Sequence, residues 1–198
     1  MIKLNQTLVA GLILLGVLTA CGGLTDDRTS AIEDKLFQWE EKGWKSQSTT
    51  HYIGGIAYAA TLVPLQYYII KNEGSQNLLN IDSIYQANKT ERIIEVEFED
   101  ARGKDLFQQL EAQRTYTDAV KYMSSSIAED FHIMLPSGEK VNCVGVTFER
   151  NYQMTPFKRV LLYFSGIPED SPVQLVYNDQ LFGNSLIQFD FKETPIQI

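Results

Sequence analysis

Between Arg92 and Glu99 the chain reads Arg-Ile-Ile-Glu-Val-Glu-Phe-Glu, which puts Ile94, Val96 and Phe98 on one side of an extended backbone and Glu95, Glu97 and Glu99 on the other. Strict period-two alternation describes a strand with one face in a core and one face in water, and such a strand needs neighbours and a second layer. Further runs rich in β-branched and aromatic residues are His51 to Leu62, Leu65 to Ile70, Phe131 to Leu135, Lys140 to Arg150, Arg159 to Phe164, Val173 to Tyr177 and Leu186 to Phe191. Turn chemistry separates them at Pro64, Asn72-Glu73-Gly74, Pro136-Ser137-Gly138-Glu139, Gly166-Ile167-Pro168 and Tyr177-Asn178-Asp179. The clearest hairpin is the one around Pro136 to Glu139. Many short strands without βαβ alternation predict a mainly β fold, an antiparallel β-sandwich of Ig-like or transthyretin-like type, with a closed barrel as the second arrangement.

Two segments depart from strand patterning. Ser30-Ala31-Ile32-Glu33 has the spacing of a capping box, Ile32, Leu36 and Trp39 then recur at helical spacing, and Gly43 supplies a stop. This predicts a short N-terminal helix that lays its apolar face on the domain. Between Gly103 and Ser126, Leu106, Phe107 and Leu110 predict a short helix or loop, and Tyr116 to Ile127, compatible with a helix or an edge strand, is read as a strand.

The N-terminus carries an address. After Lys3 an apolar run extends from Leu8 to Leu18, too short to cross a bilayer, and closes on Leu18-Thr19-Ala20-Cys21-Gly22-Gly23. That tetrapeptide resembles the lipobox of bacterial lipoproteins, with Leu18, Thr19 and Ala20 as the signal-peptidase recognition residues and Cys21 as the lipidation site. The resemblance implies cleavage before Cys21, diacylglycerol on its sulfur and acylation of the new amino terminus. Palmitate-like chains of that number bury enough methylenes to make attachment effectively permanent, where a single chain would be reversible. Gly22 in place of aspartate after the cysteine implies sorting to the cell outer membrane. Residues 1–20 are thus read as signal peptide, 21–29 as a small, polar tether and 30–198 as one β-rich domain. No family is recognised in the domain itself.

Charge narrows the partners. With 25 acidic residues against 17 basic ones, a net charge of -8 and no basic stripe longer than Lys158-Arg159, the chain is a poor match for nucleic acid or anionic headgroups. Cys21 is committed to lipid, which leaves Cys143 alone and rules out an intramolecular disulfide. In its strand-like run Cys143 reads as a buried, inert thiol.

Catalytic patterns are weak. His51 and His132 stand far apart and outside any metal-ligand spacing, and alternation predicts that His132 faces solvent while Phe131 and Ile133 face the core. Alternate glutamates on one strand lie about 6.5 to 7 Å apart, too far to share one Ca²⁺ unaided, so the Glu95, Glu97, Glu99 stripe reads as a solvated face. Ser124-Ser125-Ser126 lacks a nucleophile elbow, although His132 with Asp130 could join a distant serine. No cofactor or metal is expected. Arg150 and Tyr152 form a candidate protein contact, against the simpler reading that Glu149 satisfies Arg150. The chain is accordingly expected to be a noncatalytic, lipid-anchored accessory or docking component of an envelope assembly that binds membrane through Cys21 and a protein partner. The alternatives are a small-ligand or glycan binder and, less favoured, an envelope hydrolase.

Overall fold

The structure, a computed structural model, describes residues 47–73, 78–110, 115–150 and 155–191, all within one compact unit spanning Gly43–Ile198. The lipobox-like segment Leu18 to Cys21, the helix predicted from Ser30 to Trp39 and Tyr152 lie outside the described residues. Among those described are β1 Gln47–Ile53, β2 Ile56–Val63, β3 Arg92–Asp100, β4 Phe131–Met134 and β5 Lys140–Asn142. They continue with β6 Gly145–Glu149, β7 Phe157–Phe164, β8 Val173–Asp179 and β9 Ser185–Phe191. The strands form two antiparallel sheets, one in the order β1-β2-β3-β7-β6 and the other β5-β4-β8-β9. Helices α1 Leu65–Glu73, α2 Leu78–Asn88 and α3 Tyr116–Ser124 and two 3-10 turns, Leu106–Leu110 and Ser126–Asp130, complete the described elements.

Alternation places the core where the sequence predicts it. Tyr58, Ala60 and Leu62 of β2, Ile94, Val96 and Phe98 of β3 and Val160, Leu162 and Phe164 of β7 point inward from one sheet. They meet Phe131 and Ile133 of β4, Leu175 and Tyr177 of β8, and Ile187 and Phe189 of β9. Each such apolar side chain, fully withdrawn from water, contributes about 1.5 to 3 kcal/mol before chain entropy is set against it. Phe131 and Tyr177 stack with centroids 4.2 Å apart. Leu106, Phe107, Ala119, Met123 and Ile127 close one flank of this core.

Four expectations need correction. The run Leu65 to Ile70, read as a strand, is α1, because Pro64 can precede a first turn that needs no proline N–H and Tyr68 then packs with Val63, Ile93 and Leu161 on the outer face of the five-stranded sheet. Tyr116 to Ile127, also read as a strand, is α3 followed by a 3-10 turn. Its start follows Thr115, whose hydroxyl oxygen accepts the Asp118 N–H, and Ala119, Tyr122 and Met123 bury one face at helical spacing. Lys140 to Arg150 is two strands in different sheets, because the chain leaves the four-stranded sheet at Cys143-Val144 and the Val144 N–H bonds to the Tyr163 carbonyl. Likewise His51 to Leu62 is broken at Gly54-Gly55, where β1 turns into β2.

Both glycines of that turn have positive φ, 60° and 80°, as the two-residue primed hairpin requires. They differ in surroundings. A Cβ on Gly54 would stand 2.4 Å from Asn184 Oδ1, whereas a Cβ on Gly55 meets nothing within 4 Å. Gly54→Ala is expected to cost about 2 to 3 kcal/mol and Gly55→Ala about 1 kcal/mol, since only the first adds a collision to the left-handed backbone. Urea titration of the two variants checks the ranking; equal losses would mean that Asn184 yields freely.

The strands also define two ends. β1 begins at Gln47, opposite Leu62, and β3 and β8 begin at this end, where Ile167 N–H bonds to Thr90 O and Phe191 pairs with Val173. The opposite end holds the Gly54-Gly55 turn, the segment from Asp100 to Lys104, the end of β6 and the turn from Asp179 to Asn184.

Candidate functional site

The most concentrated polar chemistry in the described residues is inside the sandwich. Asp179, 2% exposed at the end of β8, accepts five hydrogen bonds. On Oδ1 they come from Tyr177 OH at 3.0 Å, Leu181 N–H at 3.0 Å and Phe182 N–H at 2.9 Å. On Oδ2 they come from Tyr58 OH at 2.7 Å and Asn184 N–H at 3.2 Å. Asn184 Nδ2 donates in turn to the Tyr58 oxygen at 2.7 Å. Burial holds the phenols of Tyr58 and Tyr177 well above the usual tyrosine range, so both stay protonated and donate. The geometry ties β2, β8 and the β8–β9 turn together, with both oxygens of the Asp179 carboxylate occupied by these donors.

A second buried charge is Lys158, whose Nζ lies 3.3 Å from Asp105 Oδ2 and 5.2 Å from the Phe107 ring centroid. Asp105 Oδ1 also accepts the Phe107 N–H at 2.8 Å. Asp105→Ala strands the almost wholly buried Lys158 ammonium and is expected to destabilise by about 3 kcal/mol, while Lys158→Met leaves Asp105 bonded to the Phe107 N–H and partly in water and is expected to cost less than about 1 kcal/mol. Equilibrium denaturation of both variants is the check, and equal losses would place the interaction on the surface rather than in the core.

On the outer face of the five-stranded sheet the glutamate stripe does not stand alone in water. Arg159 bonds Glu97 through Nε at 2.7 Å, lies 3.2 Å from Glu149 and 3.8 Å from Glu95, and Tyr68 OH donates to Glu95. β3 is the middle strand of five, so the stripe guards no edge. The same contacts correct the reading of Glu149, whose ion pair is with Arg159 and not Arg150. Arg150 follows β6 as an exposed residue, and its proposed companion Tyr152 is outside the described residues.

The remaining sequence candidates are dispersed. His51 bonds through Nε2 to the Gln188 carbonyl at 2.9 Å and packs on Phe189 with centroids 5.1 Å apart, joining the free edges of β1 and β9. His132 alternates outward from β4, as expected, and burial together with Lys140 lowers its pKa. Asp130 accepts from Tyr122 OH, and the Ser124 and Ser125 hydroxyls donate to the Val120 and Lys121 carbonyls at 2.7 and 3.0 Å. Those hydroxyls thus serve the end of α3. Cys143 is half-buried, its thiol pKa pushed up by burial, and Sγ donates to Gly145 O at 3.0 Å. No group of three metal-ligating side chains occurs among the described residues.

Among the described residues a shallow groove of about 390 Å³ crosses the end of the four-stranded sheet at which β8 begins, bounded by Met134, Leu135, Pro172, Val173 and Phe191, with Gln174 and Asp190 bonded to each other at 2.8 Å on its wall. Sequence reasoning placed several of its residues in strands and a turn and assigned none of them to a site. It also missed Asp179, whose only signal was its place in a turn-like Asn-Asp pair; that a β2 tyrosine would reach it across the core is written nowhere locally.

No protein family matches this chain, and no curated protein does. Among solved structures it is similar to the crystal structure of a DUF4426 family protein from Pseudomonas aeruginosa PAO1, at 11% identity and a TM-score of 0.36, covering 74% of this chain and 93% of that one. A likeness this distant carries no argument about chemistry.

Proposed function

We propose that this protein is a noncatalytic lipoprotein of the bacterial envelope, fastened to the outer membrane through Cys21, whose β domain serves as an accessory or docking component of a membrane-associated assembly. The observation that carries the reading is Leu18-Thr19-Ala20-Cys21 at the close of the apolar run from Leu8. Consistent with a docking role, the interior polar groups described above are spent on holding strands and turns together. A tether of this kind confines the domain to a surface and raises its effective concentration for membrane-bound partners, so a modest interface suffices.

The test is intact mass and membrane fractionation of the expressed chain beside Cys21→Ala. The wild type is expected to have lost residues 1–20, to carry acyl mass on Cys21 and to sediment with outer membranes, and Cys21→Ala is expected to lose the acyl mass and the processing. Identical masses and fractions for the two would end the lipoprotein reading.

A second reading, that the domain binds a small ligand, is favoured by the groove bounded by Met134, Val173 and Phe191, whose volume is in the range of small-molecule sites. Saturable binding of the apolar dye anilinonaphthalene sulfonate that Val173→Trp abolishes would support it over docking.

A further inference from the structure

We propose that a single ordered water molecule is bound where α1, α2, the start of β3 and the β7–β8 loop meet, held by the one N–H of Arg92 that the protein leaves unspent, and that this water joins α1 to Arg92. The inference concerns the interior of the domain and holds whether or not Cys21 carries lipid.

A guanidinium carries five N–H donors in a rigid fork and accepts nothing. In Arg92, which is 6% exposed, the four terminal N–H groups are used: Nη1 donates to Lys89 O and Glu91 O, and Nη2 to Pro168 O and Glu169 O. The fifth, on Nε, is buried and bonds to no protein atom, the one buried side-chain nitrogen or oxygen among the described residues of which that is true. A cationic donor withdrawn from water and given no acceptor is costly, and native structures answer such groups with protein or with ordered water.

A pocket is built around this side chain. Arg92 lines a cavity of about 20 Å³ together with Val63, Gln66, Tyr85, Glu91 and Glu169. One water needs about 10 to 15 Å³ of such space and two to four polar partners, so the cavity admits one molecule and nothing larger. A water that accepts the Nε–H keeps two protons to donate, and the walls carry acceptors in Gln66, Glu91 and Glu169. Gln66, 5% exposed, bonds to the Tyr85 hydroxyl, which itself donates to Glu169. Its amide is therefore the donor in that contact, and its Oε1 can accept from the water. A monatomic ion is the other occupant of this size. An anion would face Glu91 and Glu169 and a cation would face the guanidinium, whereas a neutral molecule that accepts on one side and donates on the other suits both walls. The four carbonyl bonds of Arg92 fasten the turn before β3 to the β7–β8 loop, and the water extends that fastening to α1 through Gln66.

The test is NMR of the full chain carrying isotope-labelled arginine, reading the Nε–H of Arg92, which is assigned by its disappearance in Arg92→Lys. The expected result is a cross-peak from this proton to the water frequency with opposite signs in NOESY and ROESY, the mark of a water that stays bound while the protein tumbles. Tyr85→Phe is expected to keep the cross-peak, and Gln66→Leu, which removes a polar wall, to lose it. No cross-peak in the unaltered chain overturns the proposal, as does one of equal sign in both experiments, which would mean that the proton exchanges with bulk solvent. Loss in Tyr85→Phe would mean that the signal is relayed by the tyrosine hydroxyl and overturns it as well. Survival in Gln66→Leu overturns the link to α1.

Discussion

Asp179→Ala is expected to destabilise the protein by about 4 kcal/mol or more, enough to unfold much of a domain of ordinary stability. The substitution strands Tyr58 OH, Tyr177 OH and the N–H groups of Leu181, Phe182 and Asn184. Each buried donor left unmade costs about 1 to 3 kcal/mol, and few can recover water here because Tyr58, Tyr177 and Leu181 are almost wholly enclosed. Asp179→Asn tests the same geometry more finely. Its carbonyl can keep the three donors on Oδ1, but its amide faces the Asn184 N–H and the Tyr58 hydroxyl, already occupied by Asn184 Nδ2, so roughly half the loss is expected. Tyr58→Phe, which leaves four donors on the carboxylate, is expected to cost least, about 1 to 2 kcal/mol. Guanidinium titrations should give the order Ala, Asn, then Phe, and a loss below about 1 kcal/mol for Asp179→Ala would show that water enters this end of the core freely.

The second large effect is expected at Arg92. This side chain is 6% exposed and its guanidinium donates to four backbone carbonyls: Lys89 at 2.9 Å, Glu91 at 2.8 Å, Pro168 at 2.6 Å and Glu169 at 2.7 Å. It thereby clamps the turn before β3 to the loop between β7 and β8. Beside it Tyr85 OH donates to Glu169, its own pKa pushed up to about 12 by burial and by that carboxylate. Arg92→Met retains the aliphatic stem and removes the fork; it is expected to cost about 3 kcal/mol, and Arg92→Lys about 2 kcal/mol, because an ammonium cannot span both pairs of carbonyls. Hydrogen exchange distinguishes this from a general loss of packing. The Ile167 N–H, which bonds across the clamp to Thr90 O, should lose protection well before the amides of β8 in Arg92→Met, and uniform loss across the sheet would contradict the assignment.

Strand-by-strand legibility followed from how local each signal was. Arg92 to Glu99 and the hairpin around Pro136 were readable because alternation and turn residues act within a few positions, and β3, β4 and β5 are where those signals place them. Leu65 to Ile70 was misread because a short apolar run is compatible with strand or helix, and what decides is the apolar patch of Val63, Ile93 and Leu161 that covers Tyr68. Tyr116 to Ser124 had a legible sign, Thr115 three residues before Asp118, which the apolar content of the segment obscured. Tyr58, Asp179 and Asn184 could not have been grouped at all, being separated by 121 and 126 residues along the chain from the tyrosine they share.

By itself, then, the sequence determined the class of fold, the inward faces of most strands and the presence of a lipobox-like N-terminus, because period, turn chemistry and a contiguous motif are short-range properties of the chain. Only the tertiary structure decided which sheet each half of Lys140 to Arg150 joins, which apolar runs become helices, which charges are spent on one another and which N–H of Arg92 is left without a protein acceptor. Those outcomes depend on burial and on partners far away in sequence, and a buried carboxylate, an ion pair or a buried guanidinium acquires its energy only from what the fold has brought beside it.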